Sequence, residues 1–274
     1  RYFARYYFDT GAEAESINPL PYFIITPRCL ITMDARLSAA QFQTDPALIG
    51  LYRERFARIL EECQALNSYS NDAGHILESY MRSTDREGYY TMMIQPCLGR
   101  YYTTERIRRQ FREDVKDREL LIGLSDQRFG RLRELKDNYY TVFTKEGLTA
   151  LAGNGIMVDL PTEFVKPFDP ALRREMLSEL RRDVETDVVK GCIADPEKLP
   201  VPPYLTFTCD PRHGVHIYTV QGFIGGPYAC NLHIEESGIG QAFCEFIRSL
   251  PGSKFVYPKE KTLQILDDLI AGLE

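Results

Sequence analysis

The chain has 274 residues, of which 44% are hydrophobic and 26% are charged, a composition typical of a folded globular protein. Its 33 basic side chains are outnumbered by 39 acidic ones, and the formal net charge is -6. Because phosphate binding relies on clustered lysine and arginine, this balance argues against the chain binding nucleic acid by itself.

The first part of the chain predicts two strands and a helix. Short apolar runs at about 22–26 and 30–33 indicate strands of a sheet that is covered on at least one face. A helix is expected from Pro46 onward, because Asp45 is a suitable N-cap and apolar residues recur at helical spacing up to Cys63.

The rest of the chain alternates predicted helices and strands. Residues 120–124 taken alone fit a strand or a helix, and the helical stripe that continues to Leu135 favours a helix. The predicted strands lie at about 89–94, 139–143, 156–160, 204–208, 215–223, 228–234 and 254–257. The predicted helices cover about 76–81, 104–115, 120–135, 144–151, 170–188, 237–250 and 260–273, with Thr144 and Ser237 as caps.

Two stretches of the chain, 21–60 and 203–250, suggest an internal duplication. Each begins with Pro-Tyr and a short apolar run, continues with a Pro-Arg pair, and ends in a predicted helix. Aligning the two helices pairs five identical residues within twelve positions: Ile49 with Ile239, Gly50 with Gly240, Phe56 with Phe246, Arg58 with Arg248, and Leu60 with Leu250. The duplication predicts that the two stretches superpose, with Phe56 and Phe246 equivalent and buried.

The alternation of strands and helices predicts an α/β protein with two related lobes of short sheets flanked by helices. Four prolines between residues 191 and 203 predict a linker, since proline resists helix interiors and central strands. A first lobe with the central helices is therefore expected over 1–190 and a second lobe over 191–274, with one integrated domain as the alternative.

No catalytic, metal or cofactor motif emerges from the chain. Cys209, His213, His216, Cys230 and His233 are suitable zinc ligands by type, but their spacing lacks the close pairs of a structural zinc site. The glycine-rich stretch 222–227 is followed by strand-like sequence, which favours a hairpin or bulge over a phosphate loop. We therefore expect no metal, no cofactor and no catalytic residues.

Candidate ligand-binding residues are Arg28, Arg212, His216 and Tyr218. Arg28 and Arg212 each follow a predicted strand that ends in threonine, and loops at strand ends commonly contact ligands. Together these side chains would suit an anionic or sugar-like molecule, because guanidinium groups bind carboxylate or phosphate and aromatic rings stack. The alternative is that both arginines only occupy exposed turns.

The paired Pro-Tyr strands, the turn from Phe143 into Gly153-x-Gly155, and the helix at 243–250 carry a resemblance to a known family. Over most of its length the chain resembles the C-terminal region of helix-turn-helix transcriptional regulators from gut Firmicutes, in which a DNA-binding head precedes an effector domain. A duplicated α/β chain is also similar to phospholipase D-like folds, whose catalytic members carry His-x-Lys in each lobe. None of the four histidines here has lysine two residues later, so that second resemblance implies a non-catalytic member.

The leading hypothesis is an effector-sensing or oligomerisation domain of a bacterial regulator. We expect a homodimer, with the region of the 243–250 helix as one contact, and DNA binding only through a head upstream of Arg1. The seven scattered cysteines indicate reduced thiols in a cytoplasm, and no apolar run approaches the ~20 residues of a membrane span. The rival interpretations are an enzyme with an unrecognised site and a purely structural dimerisation module.

Overall fold

The computed structural model describes residues 4–6, 20–70, 88–135, 137–158, 164–219 and 231–273. The chain divides into two compact units, Arg1–Asn67 and Ser68–Glu274. The predicted helix at 76–81, the glycine-rich stretch 222–227 and Cys230 lie outside the described residues.

The first unit contains a small antiparallel sheet followed by one long helix. Its elements are β1 (Arg5–Tyr6), β2 (Tyr22–Ile25), β3 (Leu30–Met33), β4 (Ala40–Gln43), α1 (Pro46–Glu62) and β5 (Gln64–Ala65). Strands β2, β3 and β4 form a meander with β3 in the centre, and β1 pairs with β5 in a separate two-stranded ribbon. Asp45 caps α1 as predicted, because its side chain accepts a hydrogen bond from the Ala47 amide at 2.9 Å.

The second unit is built on a seven-stranded mixed sheet. Its strands are β6 (Asn67–Ser70), β7 (Tyr89–Met92), β8 (Tyr139–Phe143), β9 (Lys190–Ile193), β10 (Leu205–Asp210), β11 (Gly214–Thr219) and β12 (Asn231–Ile234). Their spatial order is β6-β12-β11-β10-β7-β8-β9. Strands β7, β8 and β9 are parallel and are joined through helices, whereas β10, β11 and β12 are antiparallel neighbours in chain order. The predicted α/β class is confirmed.

Helices cover both faces of this sheet. They are α2 (Thr104–Gln110), α3 (Arg118–Glu134), α4 (Lys145–Asn154), α5 (Pro170–Glu185), α6 (Ser237–Ser249) and α7 (Lys259–Ala271). The larger apolar core draws on α2 to α5 and α7 and packs against β7 and β8, while a second core lies between the opposite face and α6. Among the helices of the described residues, none is long and apolar enough to cross a membrane.

Capping residues and glycines in the sequence correctly indicate several helix ends. The Thr144 hydroxyl accepts a hydrogen bond from the Gly147 amide at the start of α4, and Gly155, with φ of 70°, ends that helix. Asp169 caps α5 through the Leu172 amide at 2.8 Å. At α6 the predicted cap is wrong: Glu236 rather than Ser237 accepts hydrogen bonds from the first amides.

The predicted division at 190/191 is also wrong. It cuts through β9, which pairs with β8 inside the large sheet, and the compact units instead separate after Asn67. The four prolines do not form a linker between lobes. The predicted last strand is reduced to a single bridge between Val256 and Ala194.

The duplication is not shown by the structure. Both stretches fold as three antiparallel strands followed by a helix, but the buried sides of the two helices do not correspond. Cys244 and Ile247 are buried in α6, whereas Glu54 and Ala57, their partners in the proposed alignment, are exposed in α1. The prediction that Phe56 and Phe246 are buried is wrong, because they are 40% and 41% exposed on the flanks of their helices.

Candidate functional site

Polar side chains line one face of the large sheet across its central strands. The register places Thr141, Thr91, Thr208, His216 and His233 in one row that crosses five strands. Residues two positions apart on a strand share a face, so further polar residues belong to this surface. We call the following set the polar face: Tyr89, Thr91, Thr141, Thr206, Thr208, His216 and Tyr218.

Every side chain of the polar face is buried. A sheet face in a protein interior ordinarily carries valine, isoleucine and leucine, because burying a hydroxyl or an imidazole costs free energy unless its hydrogen bonds are replaced. The buried polar side chains therefore stabilise the fold less than apolar side chains at the same positions would.

Arg128 of α3 lies against the polar face. It is 1% exposed and is the largest fully buried side chain among the described residues. Its Nη2 donates a hydrogen bond to the Tyr89 hydroxyl at 3.5 Å, and its charge also acts on His216. Its neighbours on the buried side of α3, Phe129 and Leu132, are apolar, so Arg128 is the charged residue among the buried residues of this helix. Buried arginine is rare and is concentrated where planar anions are recognised.

His216 stacks on His233, with ring centroids 3.8 Å apart and planes 11° from parallel. Nε2 of His233 donates to the His213 carbonyl at 2.5 Å, and its Nδ1 lies 3.3 Å from the Glu235 carboxylate. Burial, together with the nearby His233 and Arg128, lowers the pKa of His216 to about 2. His216 is therefore neutral at physiological pH and can take part in hydrogen bonds without carrying charge.

Tyr89 of the polar face keeps its proton. Burial raises the pKa of Tyr89 well above its usual range, with Cys97 adding to the effect and Arg128 opposing it. The Cys97 thiol donates to the Tyr89 hydroxyl at 3.6 Å, and the Cys97 amide donates to the Thr141 hydroxyl at 3.1 Å. The loop after β7 is thereby tied to the edge of the polar face.

Three hydroxyls of the polar face have no hydrogen-bond partner among the described residues. They belong to Thr91, Thr206 and Thr208, whereas the Thr141 hydroxyl accepts the Cys97 amide. Leaving a buried hydroxyl unsatisfied costs about 1–3 kcal/mol, and such groups in native proteins call for a specific explanation. The polar face thus has hydrogen-bonding capacity that the described protein groups do not use.

The structure places the predicted site residues in different surroundings. His216 and Tyr218 lie together on β11 within the polar face. Arg212 is in the exposed turn between β10 and β11, where its amide donates to Asp210 at 2.7 Å. Arg28 is in the exposed β2–β3 turn of the first unit. The ligand-binding roles of both arginines stay predictions.

Sequence reasoning missed Arg128, Tyr89 and the threonines. Alternating polar residues at Thr206 and Thr208 were a usable signal, because they put two hydroxyls on one face of a strand. Arg128 offered no such signal, since a charged residue in a helix rich in arginine is ordinarily assigned to the solvent face.

The Cys209 thiol does not join His216. Cys209 pairs with Val215 in the register, so its Sγ points to the face opposite His216, where it lies 3.7 Å from the Tyr90 carbonyl. Cys209 and His216 therefore cannot bind the same ion. In the part of the chain that the structure describes, no group of three or more histidine, cysteine or carboxylate side chains could hold a metal.

Comparisons with known proteins identify no relative. No protein-family model matches the chain, and searches of curated proteins and of solved structures found no match. The resemblance to helix-turn-helix regulators therefore stays a prediction from the sequence.

Proposed function

We propose that this chain is the effector-sensing region of a bacterial transcriptional regulator that works in the cytoplasm. The ligand in this proposal is a compact anionic or hydroxyl-rich small molecule that binds at the polar face. The regulator assignment rests on the sequence resemblance, in which a separate N-terminal head binds DNA. The ligand class rests on the polar face itself.

The observation that carries the ligand class is the buried guanidinium of Arg128 beside Tyr89 and His216. A guanidinium presents donors in a planar fork that matches carboxylate or phosphate oxygens. The threonine hydroxyls and the neutral His216 add donors and acceptors within the same surface. Such a convergence of polar groups inside an apolar core is the usual chemistry of a small-molecule site.

The state of His216 favours binding over proton transfer. A general acid or base works best with a pKa near the operating pH, and the pKa of His216 is about 2. Burial, with the stacked His233 and the nearby Arg128 adding to it, holds His216 neutral, so it orients a ligand rather than exchanging protons with it. The rival enzyme hypothesis thus finds no proton-transfer group in His216.

A thermal-shift screen tests the ligand. Inorganic phosphate, small carboxylates, sugars and sugar phosphates would be added to the purified chain, and a ligand at 100 times its Kd should stabilise it by about 2.7 kcal/mol. Arg128→Gln and Tyr218→Phe should reduce or abolish the response. Arg131→Gln, which makes the same charge change on the same helix, is the matched control and should keep it.

The possible outcomes separate the hypotheses. No stabilisation by any of these classes, or an equal loss of response in Arg128→Gln and Arg131→Gln, would reject the polar face as the site. Chemical conversion of a stabilising ligand, followed by mass spectrometry, would favour the enzyme interpretation instead.

The regulator assignment has its own test. A gel shift on the DNA upstream of its own gene would compare this chain with the full-length gene product at moderate salt. With 33 basic against 39 acidic side chains, the chain alone should not bind, whereas the full-length protein should. Specific binding by this chain alone, or no binding by the full-length protein, would contradict the assignment.

A further inference from the structure

The three-stranded sheet of the first unit exposes an apolar face. In the register, Tyr22 pairs with Met33 and Met33 with Ala40, while Ile24 pairs with Ile31 and Ile31 with Phe42. We call these six residues the outer sheet face. Tyr22 and Ile24 are each 51% exposed and Phe42 is 65% exposed, although all are large and apolar or aromatic.

The opposite face of the same sheet already packs against a helix. Phe23 makes edge-on ring contacts with Tyr52 and Phe56 of α1, at centroid distances of 5.3 and 6.2 Å. An antiparallel sheet with a helix on one side ordinarily turns polar residues to the other side. The outer sheet face departs from this rule at all six positions, since none of them carries a charge.

The turn between β3 and β4 adds another exposed apolar group. Leu37 is 67% exposed and has a φ of 54°, a left-handed conformation that bulky residues rarely adopt. The turn is held by Asp34, whose side chain accepts hydrogen bonds from the Ser38 and Ala39 amides at 2.7 and 2.8 Å. Leu37 is thus presented to solvent by a well-bonded turn.

The exposed area fits the centre of a protein interface. With ~200 Å² for each large side chain, the exposed fractions of Tyr22, Ile24 and Phe42 amount to roughly 300 Å² of apolar surface on this face, and Leu37 exposes ~130 Å² more in the adjoining turn. A standard interface buries about 800 Å² on each partner, with an apolar centre and a polar rim. This surface is therefore large enough for one pairing contact.

A second copy of this chain can contact the outer sheet face without charge repulsion there. The chain has a formal charge of -6, so two copies repel each other over most surfaces, but the outer sheet face brings no charge to the contact. A flat sheet face can also pair with itself about a twofold axis, with the two sheets stacked ~10 Å apart and their side chains interdigitated.

We propose that the outer sheet face is the homodimerisation surface of this protein, where two copies stack their three-stranded sheets face to face. This site differs from the 243–250 helix predicted from the sequence. It is independent of ligand binding at the polar face, which lies in the other unit.

Sedimentation velocity and light scattering of the whole chain test this proposal. The wild type should have twice the 31.5 kDa chain mass at micromolar concentration. Phe42→Glu should raise the dimer Kd by at least ~100-fold, because it buries an unpaired carboxylate in an apolar contact. Leu120→Glu, at a 63% exposed leucine of α3, is the matched control and should remain dimeric.

Two further variants complete the test. Phe246→Glu examines the alternative contact on α6 and should leave the dimer unchanged. Phe42→Thr, which suits a strand and adds no charge, guards against misfolding and should also weaken the dimer, with the far-UV spectrum unchanged. The proposal would be overturned if the wild type is monomeric at ~100 µM, whether or not it binds lipid vesicles instead. It would also be overturned if both Phe42 variants remain dimeric.

Discussion

The two faces of the large sheet differ sharply where β10 and β11 pair. On one face Cys209 and Val215 pack under Cys244 and Ile247 of α6, in a core made of apolar groups. On the other face their chain neighbours Thr208 and His216 are equally buried but polar. The same two strands thus supply packing on one side and hydrogen-bonding groups on the other.

Under the proposed function, this difference separates packing from ligand binding within one sheet. Apolar burial contributes about 25 cal/mol per Å² removed from water, whereas unsatisfied buried polar groups reduce stability. On the apolar side even the polar tip of Tyr90 is satisfied, because Arg248 donates to its hydroxyl at 2.6 Å. On the polar face, by contrast, the hydroxyls of Thr91, Thr206 and Thr208 have no such partner among the described residues.

Truncation on the apolar face should have the largest effect. Ile247 is fully buried between α6 and the sheet, so Ile247→Ala should reduce the free energy of unfolding by about 3 kcal/mol through lost burial and a cavity. Urea unfolding measures this. Phe246→Ala, one residue earlier and 41% exposed, should cost less than half as much, and an equal cost for both would contradict the apolar face as the stabilising side.

Acid should destabilise the protein through His216. Because its pKa falls from 6.5 in the unfolded chain to about 2 in the folded one, only the unfolded state binds a proton as the pH drops below 6.5. The stability contributed by the neutral imidazole is therefore fully present above pH 6.5 and is lost as the pH falls toward 2. Proton binding to His216 in the unfolded chain should lower the free energy of unfolding by about 2 kcal/mol between pH 7 and pH 5.

Substitution isolates that contribution. Between pH 7 and pH 5, the free energy of unfolding of His216→Gln, measured in urea, should fall by about 2 kcal/mol less than that of the wild type. Thr91→Val alters the same face without changing a titratable group, so its free energy of unfolding should fall as much as that of the wild type. An identical pH dependence in His216→Gln and the wild type would contradict the buried neutral state of this imidazole.

Two identical substitutions on the polar face should have small effects of opposite sign. Thr208→Val removes a buried hydroxyl that has no partner among the described residues, so it should stabilise the protein by about 1 kcal/mol. Thr141→Val removes the acceptor of the Cys97 amide and should destabilise it by about 1 kcal/mol. Urea unfolding of both variants checks this, and effects of equal sign would show that the two hydroxyls do not differ.

Much of the secondary structure followed from local signals. Asp45 and Thr144 each cap the helix that the sequence assigned to them. The strand β9 was missed because proline and glycine around it resemble a linker, and it became a strand only by pairing with β8. In the same way, five identities within twelve positions suggested equivalent helices, although the sheet each helix covers gave them different buried sides.

The candidate site could be predicted only in part. His216 and Tyr218 are predicted because their residue types suit a polar and aromatic ligand lining, and the strand register puts both on one face. Arg128 and Tyr89 were missed because they come from a helix and a strand far away in the sequence. Their contact depends on how α3 lies across the sheet.

By itself, the sequence determined the α/β class, the caps of α1 and α4 and the alternation of faces along β10 and β11, because these depend on residues within one or two turns of each other. The tertiary structure alone decided that Thr208 pairs with Thr91, more than a hundred residues earlier, and that a buried arginine lies against this row. Strand pairing and helix docking are set by the free energy of assembling the whole core, which no local stretch of residues encodes.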